Sequence, residues 1–267
     1  MAHPFAEKSI IALADWLDTP PGRYVMAWEQ ARLDALTADI FGFNALQIGL
    51  PQVNALQANR MPHRWLSDTQ LPQSNAQPAL PVVVVHDFSE LPFASQSLDL
   101  VVLPHVLEFA AEPHQILREV ERVLIPEGQL IVCGFNPASL WGLRQAAGRL
   151  SGAHFLPLNG EFISLPRMKD WLKLLNMEVN RGYFGCYAPP CLSDKWLARF
   201  SLMEPAGDRW WPYLGAVYMV QAIKRVKGMR LIGPAWRKAV VPATNGLPAT
   251  NRIRQHADIQ SRNGSTE

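Results

Sequence analysis

The most constraining feature of this chain is a regular alternation of apolar strands and an amphipathic helix between residues 82 and 141. Val82–Val85 is a continuous run of valines and Leu98–Leu103 is a second aliphatic run, as expected for strands covered on both faces. Glu112–Leu124 carries apolar residues along one side and charged residues opposite, which predicts an amphipathic helix. Another apolar run, Gly128–Gly134, follows it. This alternation predicts a mostly parallel sheet covered by helices.

Further helix and strand patterns lie on both sides of this region. Apolar residues at helical spacing predict helices over Ser9–Leu17, Arg23–Phe41, Pro166–Asn176 and Asp194–Met203, and a weak helix over Val53–Asn59. Short apolar runs predict strands at Ala45–Gly49, His63–Ser67, Glu178–Tyr183 and Ala216–Lys224. Polar, proline-broken Asp68–Ala79 is predicted to be a loop. Ligands of such sheets bind at the carboxyl ends of the strands, so a site is expected after Gly49, Asp68, Val85, Leu103 and Gly134.

The composition narrows the class of protein. Hydrophobic residues make up 48% and charged residues 18% of the 267 residues, which is ordinary for a globular protein with a sizeable core. The net charge of +2 conceals a basic end, because Lys224–Glu267 contains nine basic and two acidic residues (+7) and the remainder carries −5. A nucleic-acid-binding domain would be more uniformly basic, so nucleic acid is not expected as a partner. The basic end is either a solubilising tail or a contact for another anionic partner.

Neither a metal site nor a membrane segment is expected from the sequence. Cys133, Cys186 and Cys191 form no Cys-x-x-Cys pair, and no histidine pair has metal-ligand spacing. The first ten residues lack the basic start and apolar run of a signal peptide. The apolar stretch Trp210–Ile223 is too short to cross a bilayer of roughly 30 Å. We therefore expect a protein of the reducing cytoplasm, and its oligomeric state is open.

The order of elements between residues 82 and 141 resembles the second half of a class I S-adenosylmethionine (SAM)-dependent methyltransferase, specifically of the type 11 methyltransferase family. The matching features are an acid, Asp87, after the valine strand, then Leu91-Pro92-Phe93, and then Ser97-Leu98-Asp99 at the start of the next strand. The resemblance is specific from Asp87 to Asn136 and extends over roughly residues 42–226.

This resemblance implies a fold and a domain organisation. The fold would be Rossmann-like, with a seven-stranded, mostly parallel sheet and helices on both faces. The domains would be an N-terminal helical cap over residues 1–41, a methyltransferase-like domain over residues 42–227, and a basic, disordered tail over residues 228–267.

The resemblance also implies SAM as the cofactor and assigns residues to it. Asp87 and Phe88 would hold the adenine, because a carboxylate accepts the exocyclic amine and a backbone N–H reaches a ring nitrogen. Leu103 would line the donor site, and His105 would act as a general base toward the acceptor. The residues alone leave alternatives, since aspartate often caps a turn and a single histidine after a strand can be structural.

The first strand-to-helix turn departs from the family pattern of an acid followed by Gly-x-Gly-x-Gly. The corresponding run is Gln47 to Val53 (QIGLPQV), in which only Gly49 matches, and Pro51 offers no N–H. Placing a non-glycine residue in the left-handed region costs about 1–2 kcal/mol, so we expect a turn of another shape. Gln47 can still bond the donor's amino group without the charge-assisted bond of an acid. Together these losses predict cofactor binding weakened by about one to three orders of magnitude.

Three more polar residues have two or more interpretations. Asp68, at the end of the second predicted strand, is the candidate for the ribose-binding acid or is a plain loop aspartate. Glu29 lies on the apolar stripe of its helix, where an unpaired carboxylate is costly. It would lie at a partly exposed edge, pair with Arg23, or face the cofactor cleft. Asn136 would either orient a polar group of the substrate or form an Asn-Pro turn.

Two functional hypotheses follow. The first is a SAM-dependent methyltransferase acting on a small or medium-sized acceptor, with Gln47, Gly49, Asp68, Asp87, Phe88 and Leu103 at the cofactor and His105 as the base. The second is a catalytically inactive protein of the same fold that serves as a binding or regulatory module, because function depends on the site rather than on the fold.

Overall fold

The computed structural model describes residues 13–69, 82–151, 155–156 and 161–226. Their core is a seven-stranded sheet in the order β3-β2-β1-β4-β5-β7-β6. The strands of this sheet are β1 (Asn44–Ile48), β2 (His63–Asp68), β3 (Val82–Val85), β4 (Leu98–Pro104), β5 (Leu124–Phe135), β6 (Met177–Gly185) and β7 (Val217–Lys224). β7 runs antiparallel to both of its neighbours, and the other pairs are parallel. The prediction of a seven-stranded, mostly parallel sheet is confirmed.

Helices connect the strands. Residues 13–17 are helical, and they are followed by α1 (Pro20–Thr37), α2 (Val106–Phe109), α3 (Pro113–Val123), α4 (Leu140–Ser151), α5 (Leu165–Leu174), α6 (Asp194–Arg199) and α7 (Met203–Trp210). α1 begins three residues before its predicted start. Thr19 is its N-cap and accepts a hydrogen bond from the Gly22 backbone, and prolines are tolerated in the first turn because no intrahelical N–H is needed there.

Period-two alternation in the central strands divides the core into two layers. In β4, Leu100 and Val102 belong to one apolar cluster, whereas Val101 and Leu103 belong to the other. The first cluster also contains the apolar stripe of α1, and the second contains the stripe of α3. Successive side chains of a strand point to opposite faces, so helices cover both faces of the sheet.

Several predicted boundaries were wrong. Residues 53–59 form turns rather than the predicted weak helix. The helix predicted over Asp194–Met203 ends at Arg199, continues as a 3-10 turn over Phe200–Leu202, and is followed by α7. The interruption leaves this segment largely exposed.

Some predictions concern residues outside the described ranges. The predicted loop over Asp68–Ala79 is described only through residue 69, and the predicted tail over residues 228–267 lies entirely outside. The domain boundaries therefore stay predictions.

Candidate functional site

The sheet has one topological switch point, between β1 and β4. On one side of β1 the sheet continues with β2 and β3, and on the other side it continues with β4 and β5. Ligands of open α/β sheets bind at such a point, outside the carboxyl ends of the strands. Gly49 follows β1 and His105 follows β4, and both line a cavity of about 10 Å³ together with Leu13, Leu50, Pro104, Val106 and Phe109. A cavity of this size has room for about one water molecule.

Three of the residues that line this cavity have left-handed backbone conformations. Gly49 has a φ of 71°, Leu50 of 50° and His105 of 56°. Leu50 adopts this region in spite of the cost that led us to expect a turn of another shape than the family's. Such conformations cost about 1–3 kcal/mol each at non-glycine residues, and they cluster at functional sites. Two of them at one switch point mark this cavity as the candidate site.

The side chain of Gln47 stabilises the turn that follows β1. Its side chain is fully buried, and its amide nitrogen lies 3.1, 3.1 and 2.8 Å from the backbone oxygens of Gly49, Leu50 and Val53. Its amide oxygen accepts from the backbone N–H of Ala55 at 3.0 Å. The amide thus holds residues 49–55 in place and has both of its polar atoms engaged within the loop. These contacts also explain why residues 53–59 turn instead of forming a helix.

His105 is held between two carboxylates. Its Nε2 lies 2.6 Å from Glu29 Oε1 on α1, and its Nδ1 lies 2.8 Å from Glu108 Oε2 on α2. Glu108 Oε1 in turn accepts the backbone N–H of Phe135 at 2.6 Å. His105, Glu29 and Glu108 are buried, with exposed fractions of 1%, 0% and 4%. This network joins the first helix to the ends of β4 and β5.

The two carboxylates determine the charge of the imidazole. Burial lowers the pKa of His105, but the charge of Glu29 and the hydrogen bonds that the ring donates to both glutamates outweigh this effect and raise the pKa to about 10. The two carboxylates therefore favour the protonated form of the ring. Burial raises the pKa of Glu108, and His105 opposes that shift. In this arrangement His105 has no free ring nitrogen, and its predicted role as a general base remains a prediction.

The other predicted residues lie along the adjacent strand ends. Asp68 ends β2, and its carboxylate accepts from the backbone N–H of Thr69 at 2.7 Å, while burial raises its pKa. Asp87 is exposed after β3 and caps a turn, accepting from the Ser89 N–H at 3.0 Å, which lowers the pKa of Asp87. Phe88 is buried beside Gly49. Leu103 is fully buried within β4.

Two members of the site were not assigned by sequence reasoning. No sequence signal identifies Glu108, because Val106–Phe109 is only one helical turn and carries no recognisable motif. For Glu29 the sequence left a partly exposed edge, a pair with Arg23 and the cofactor cleft open; the side chain is fully buried against His105, and Arg23 pairs with Asp194 instead. The charged residue in the middle of an apolar stripe indicated that Glu29 needs a partner, but its local sequence does not identify His105 as that partner.

Asn136 has its side chain engaged by backbone. Its amide nitrogen donates to the oxygens of Tyr213 and Gly215 at 2.8 and 2.9 Å, and its amide oxygen accepts from Ala138 at 3.0 Å. These contacts correspond to the Asn-Pro turn rather than to a substrate contact.

Neither a metal cluster nor a spanning helix occurs in the described ranges. No group of three or more His, Cys, Asp or Glu side chains among those residues could hold a metal ion. Within the same part of the chain, no helix is long and apolar enough to cross a membrane.

The sheet order, the antiparallel β7 and the site at the switch point define a class I methyltransferase fold. Residues 65–132 match the sequence profile of the methyltransferase domain. The chain is 34% identical over 174 residues to YafS, an uncharacterized protein of Escherichia coli K12, a match that covers 64% of this chain and 68% of YafS. The chain therefore belongs to the class I methyltransferase family that includes YafS.

Two further relatives extend the comparison. A malonyl-[acyl-carrier protein] O-methyltransferase of Laribacter hongkongensis is 32% identical over 145 residues, which cover 52% of this chain and 48% of the relative. The chain thus spans about half the length of that enzyme. A SAM-dependent methyltransferase from Thermotoga maritima superposes with a TM-score of 0.53 at 16% identity, covering 72% of this chain and 87% of the other. This structural likeness concerns the fold.

The residues present fit one part of SAM better than the other. At the ends of β2 and β3, Asp68 and Asp87 carry carboxylates of the kind that could accept hydrogen bonds from a ribose and an adenine, and the buried hydroxyl of Ser67 has no hydrogen-bond partner among the described residues. At the end of β1, the described residues enclose only about 10 Å³.

Proposed function

We propose that this protein is a SAM-dependent methyltransferase that acts on a small or medium-sized acceptor. The observation that carries the proposal is the switch point itself, where Gly49, Leu50 and His105 are all left-handed around one cavity. Family membership supports SAM as the ligand of that point. SAM would supply an electrophilic methyl group on a positively charged sulfur. A cytoplasmic location and a small-molecule acceptor are parts of the same proposal.

The chain's own residues would bind and orient the two reactants. The carboxylate of Asp68 would accept hydrogen bonds from the ribose, and Asp87 with the backbone of Phe88 would hold the adenine. Gly49 and Leu103 would line the site of the methyl donor, SAM. Transfer to an acceptor could then be accelerated mainly by holding the reacting atoms in line and excluding water.

A second function is favoured by a specific observation. Gln47 uses both polar atoms of its amide within its own loop, so in this conformation it offers neither of them to a cofactor. A protein that kept the fold and lost the cofactor would look the same there. It would serve as a binding or regulatory module.

Calorimetric titration with SAM and with S-adenosylhomocysteine (SAH) separates the two functions. The enzyme hypothesis predicts dissociation constants from roughly ten micromolar to a millimolar, allowing for the altered turn. Asp87→Ala should weaken binding about tenfold or more, since a hydrogen bond to a charged group is worth about 1.5–3 kcal/mol. Glu90→Ala, at an exposed neighbouring position, is the matched control. Absence of binding by both ligands at millimolar concentration supports the regulatory module.

A further inference from the structure

The segment that connects β6 to β7 exposes a concentration of large apolar side chains. Among the described residues, ten large hydrophobic side chains are exposed by more than 50%, and five of these ten lie between residues 192 and 213. These five side chains, which we call the apolar patch, are Leu192, Trp196, Leu202, Trp210 and Tyr213. Single exposed apolar residues are common, but their concentration in one short segment marks an interaction surface.

Four of the five members of the apolar patch lie on short helical turns that pack against one another in chain order. α6 contacts the 3-10 turn Phe200–Leu202, that turn contacts α7, and α7 contacts the 3-10 turn Pro212–Leu214. Neither 3-10 turn has a buried residue, and the two helices bury one residue each, Leu197 and Gly207. The segment therefore presents most of its side chains outward and adds little to the core.

Hydrogen bonds hold the backbone of this segment on the sheet. Glu204 on α7 accepts from the backbone N–H of Tyr187 at 2.8 Å, and the Tyr187 hydroxyl donates to the backbone oxygen of Pro212 at 2.9 Å. The amide of Asn136 donates to the backbone oxygen of Tyr213 at 2.8 Å. Because Asn136 follows β5, the apolar patch projects from the carboxyl end of the sheet, the end at which the candidate site lies.

Basic side chains alternate with the members of the apolar patch. Lys195 and Arg209 directly precede Trp196 and Trp210 in the chain, and the Arg199 guanidinium lies 5.4 Å from the centre of the Trp196 ring. All three basic side chains are exposed, and within the described ranges none of them forms an ion pair. The core of a protein–protein interface is depleted of charged residues, so this alternation favours another kind of partner.

The acids of the segment do not cancel this basic charge at the surface. Asp194 forms an ion pair of 3.0 Å with Arg23 on α1, which neutralises both side chains. Glu204 faces the interior, where it also accepts from the hydroxyl of Tyr24 on α1. Of the acids between residues 192 and 213, Asp208 is the one left exposed beside three unpaired basic residues. The outward surface of the apolar patch therefore carries a net charge of +2 and complements an anionic partner.

We propose that the apolar patch is a membrane-docking surface that binds an anionic phospholipid bilayer. Tryptophan and tyrosine rings are favoured at the level of the lipid headgroups, because their amphipathic rings have one apolar and one polar part. The leucine side chains would enter the boundary with the acyl chains, and the three basic side chains would contact lipid phosphates. This inference goes beyond the proposed function and does not depend on it.

Co-sedimentation of the full chain with vesicles tests the apolar contribution. The wild type should bind vesicles of equal parts phosphatidylcholine and phosphatidylglycerol. The double variant Trp196→Ser with Trp210→Ser should bind them about tenfold or more weakly, because two large aromatic side chains no longer enter the lipid. Phe41→Ser with Phe43→Ser is the matched control, since these rings are 75% and 71% exposed before β1, at the opposite end of the sheet. The control should bind as the wild type does.

A charge variant tests the electrostatic contribution. Arg209→Gln should lower the affinity for the mixed vesicles about fivefold, because a basic residue near an anionic surface contributes about 1 kcal/mol. Arg118→Gln, at an exposed position of α3, is the charge-matched control and should leave the affinity unchanged. Every variant keeps the basic residues from Lys224 onward, so attraction by those residues alone predicts equal binding of the tryptophan variant and the wild type. Equal binding would overturn the inference.

Two further measurements decide between lipid and other occupants of the apolar patch. The inference is overturned if the wild type binds neither the mixed vesicles nor vesicles of phosphatidylcholine alone. Light scattering would then show whether the wild type forms a dimer that the tryptophan variant does not form, which would assign the surface to a second copy of the chain.

A milder variant keeps the test valid if the tryptophan variant does not fold. Leu202→Ser changes one side chain that is 79% exposed, and it should weaken vesicle binding about fivefold or more. Unchanged binding of a folded Leu202→Ser and a folded Arg209→Gln would overturn the inference. None of these measurements requires SAM or an acceptor, so their outcome is separate from that of the proposed function.

Discussion

Glu29 Oε1 lies 2.6 Å from His105 Nε2, although the two residues are 76 positions apart in the chain. Both side chains are completely buried. The pair connects α1 to the carboxyl end of β4, and Glu108 extends the connection to β5 through the Phe135 backbone. A helix that precedes the sheet in sequence therefore contributes a charged group to the centre of the candidate site.

The stability of this network should depend on pH in a defined direction. The pKa of His105 is raised to about 10 from an ordinary value of 6.5, so its stabilising contribution is complete below pH 6.5. Between pH 6.5 and 10 the unfolded chain loses this proton and the folded chain keeps it. The free energy of unfolding should then fall as pH rises, by at most about 1.4 kcal/mol per pH unit from this group.

Urea denaturation between pH 6 and 9 would measure this slope. His105→Asn should remove most of it, and His63→Asn, at an exposed position of β2, should not. The raised pKa of Glu108 adds a fall in stability that begins near its ordinary value of 4.5. The account is contradicted if the slope above pH 6.5 is the same in His105→Asn as in the wild type.

Gln47→Glu should destabilise the protein, although it restores the acid of the family pattern. A carboxylate there would face the backbone oxygens of Gly49, Leu50 and Val53 without a proton to donate. The loss of these bonds and the buried charge should lower the free energy of unfolding by about 3 kcal/mol or more.

The exposed Gln52 of the same loop offers a matched control. Gln52→Glu should change the free energy of unfolding by less than about 0.5 kcal/mol. Equal stability of Gln47→Glu and the wild type, combined with tighter SAM binding, would show that the amide does not hold the loop.

Gly49→Ala should also be destabilising, for two reasons. The φ of 71° is unfavourable for alanine, and the added Cβ would lie 2.9 Å from Val106 Cγ2. We expect a loss of about 2–3 kcal/mol in the free energy of unfolding, measured by thermal or urea denaturation. Gly182→Ala in β6 is the control, because nothing lies within 4 Å of its added Cβ. If Gly49→Ala lowers the free energy of unfolding no more than Gly182→Ala does, the close approach of Gly49 to Val106 is ruled out.

The sequence predicted the sheet well because the signals of its strands are local. The aliphatic run of β4 identifies a buried strand without any knowledge of its partners. The valine run correctly predicts that β3 is a strand, but β3 lies at the edge of the sheet and its Val85 is 46% exposed, so the expectation that it is covered on both faces was wrong there. The amphipathic stripe of α3 likewise indicates which side of the helix faces the sheet. The alternation of strands and helices also predicts that a site lies at the carboxyl ends of the strands.

The charged centre of the site could not be predicted, because it depends on contacts distant in sequence. The burial of Glu29 is favourable only when His105 lies against it. The left-handed conformation of Leu50 is similarly maintained by surroundings that its local sequence does not show, including the amide of Gln47 beneath the turn.

Hydrogen exchange of the full chain with and without SAM tests the central claim most directly, because it locates the ligand on the sheet. We expect slower exchange with SAM in peptides that cover residues 66–69, 86–89 and 103–109, the ends of β2, β3 and β4. Peptides that cover residues 169–179, at the opposite end of the sheet, should be unchanged. Unchanged exchange at all three strand ends with millimolar SAM present, or protection confined to other regions, would contradict a SAM site at the switch point.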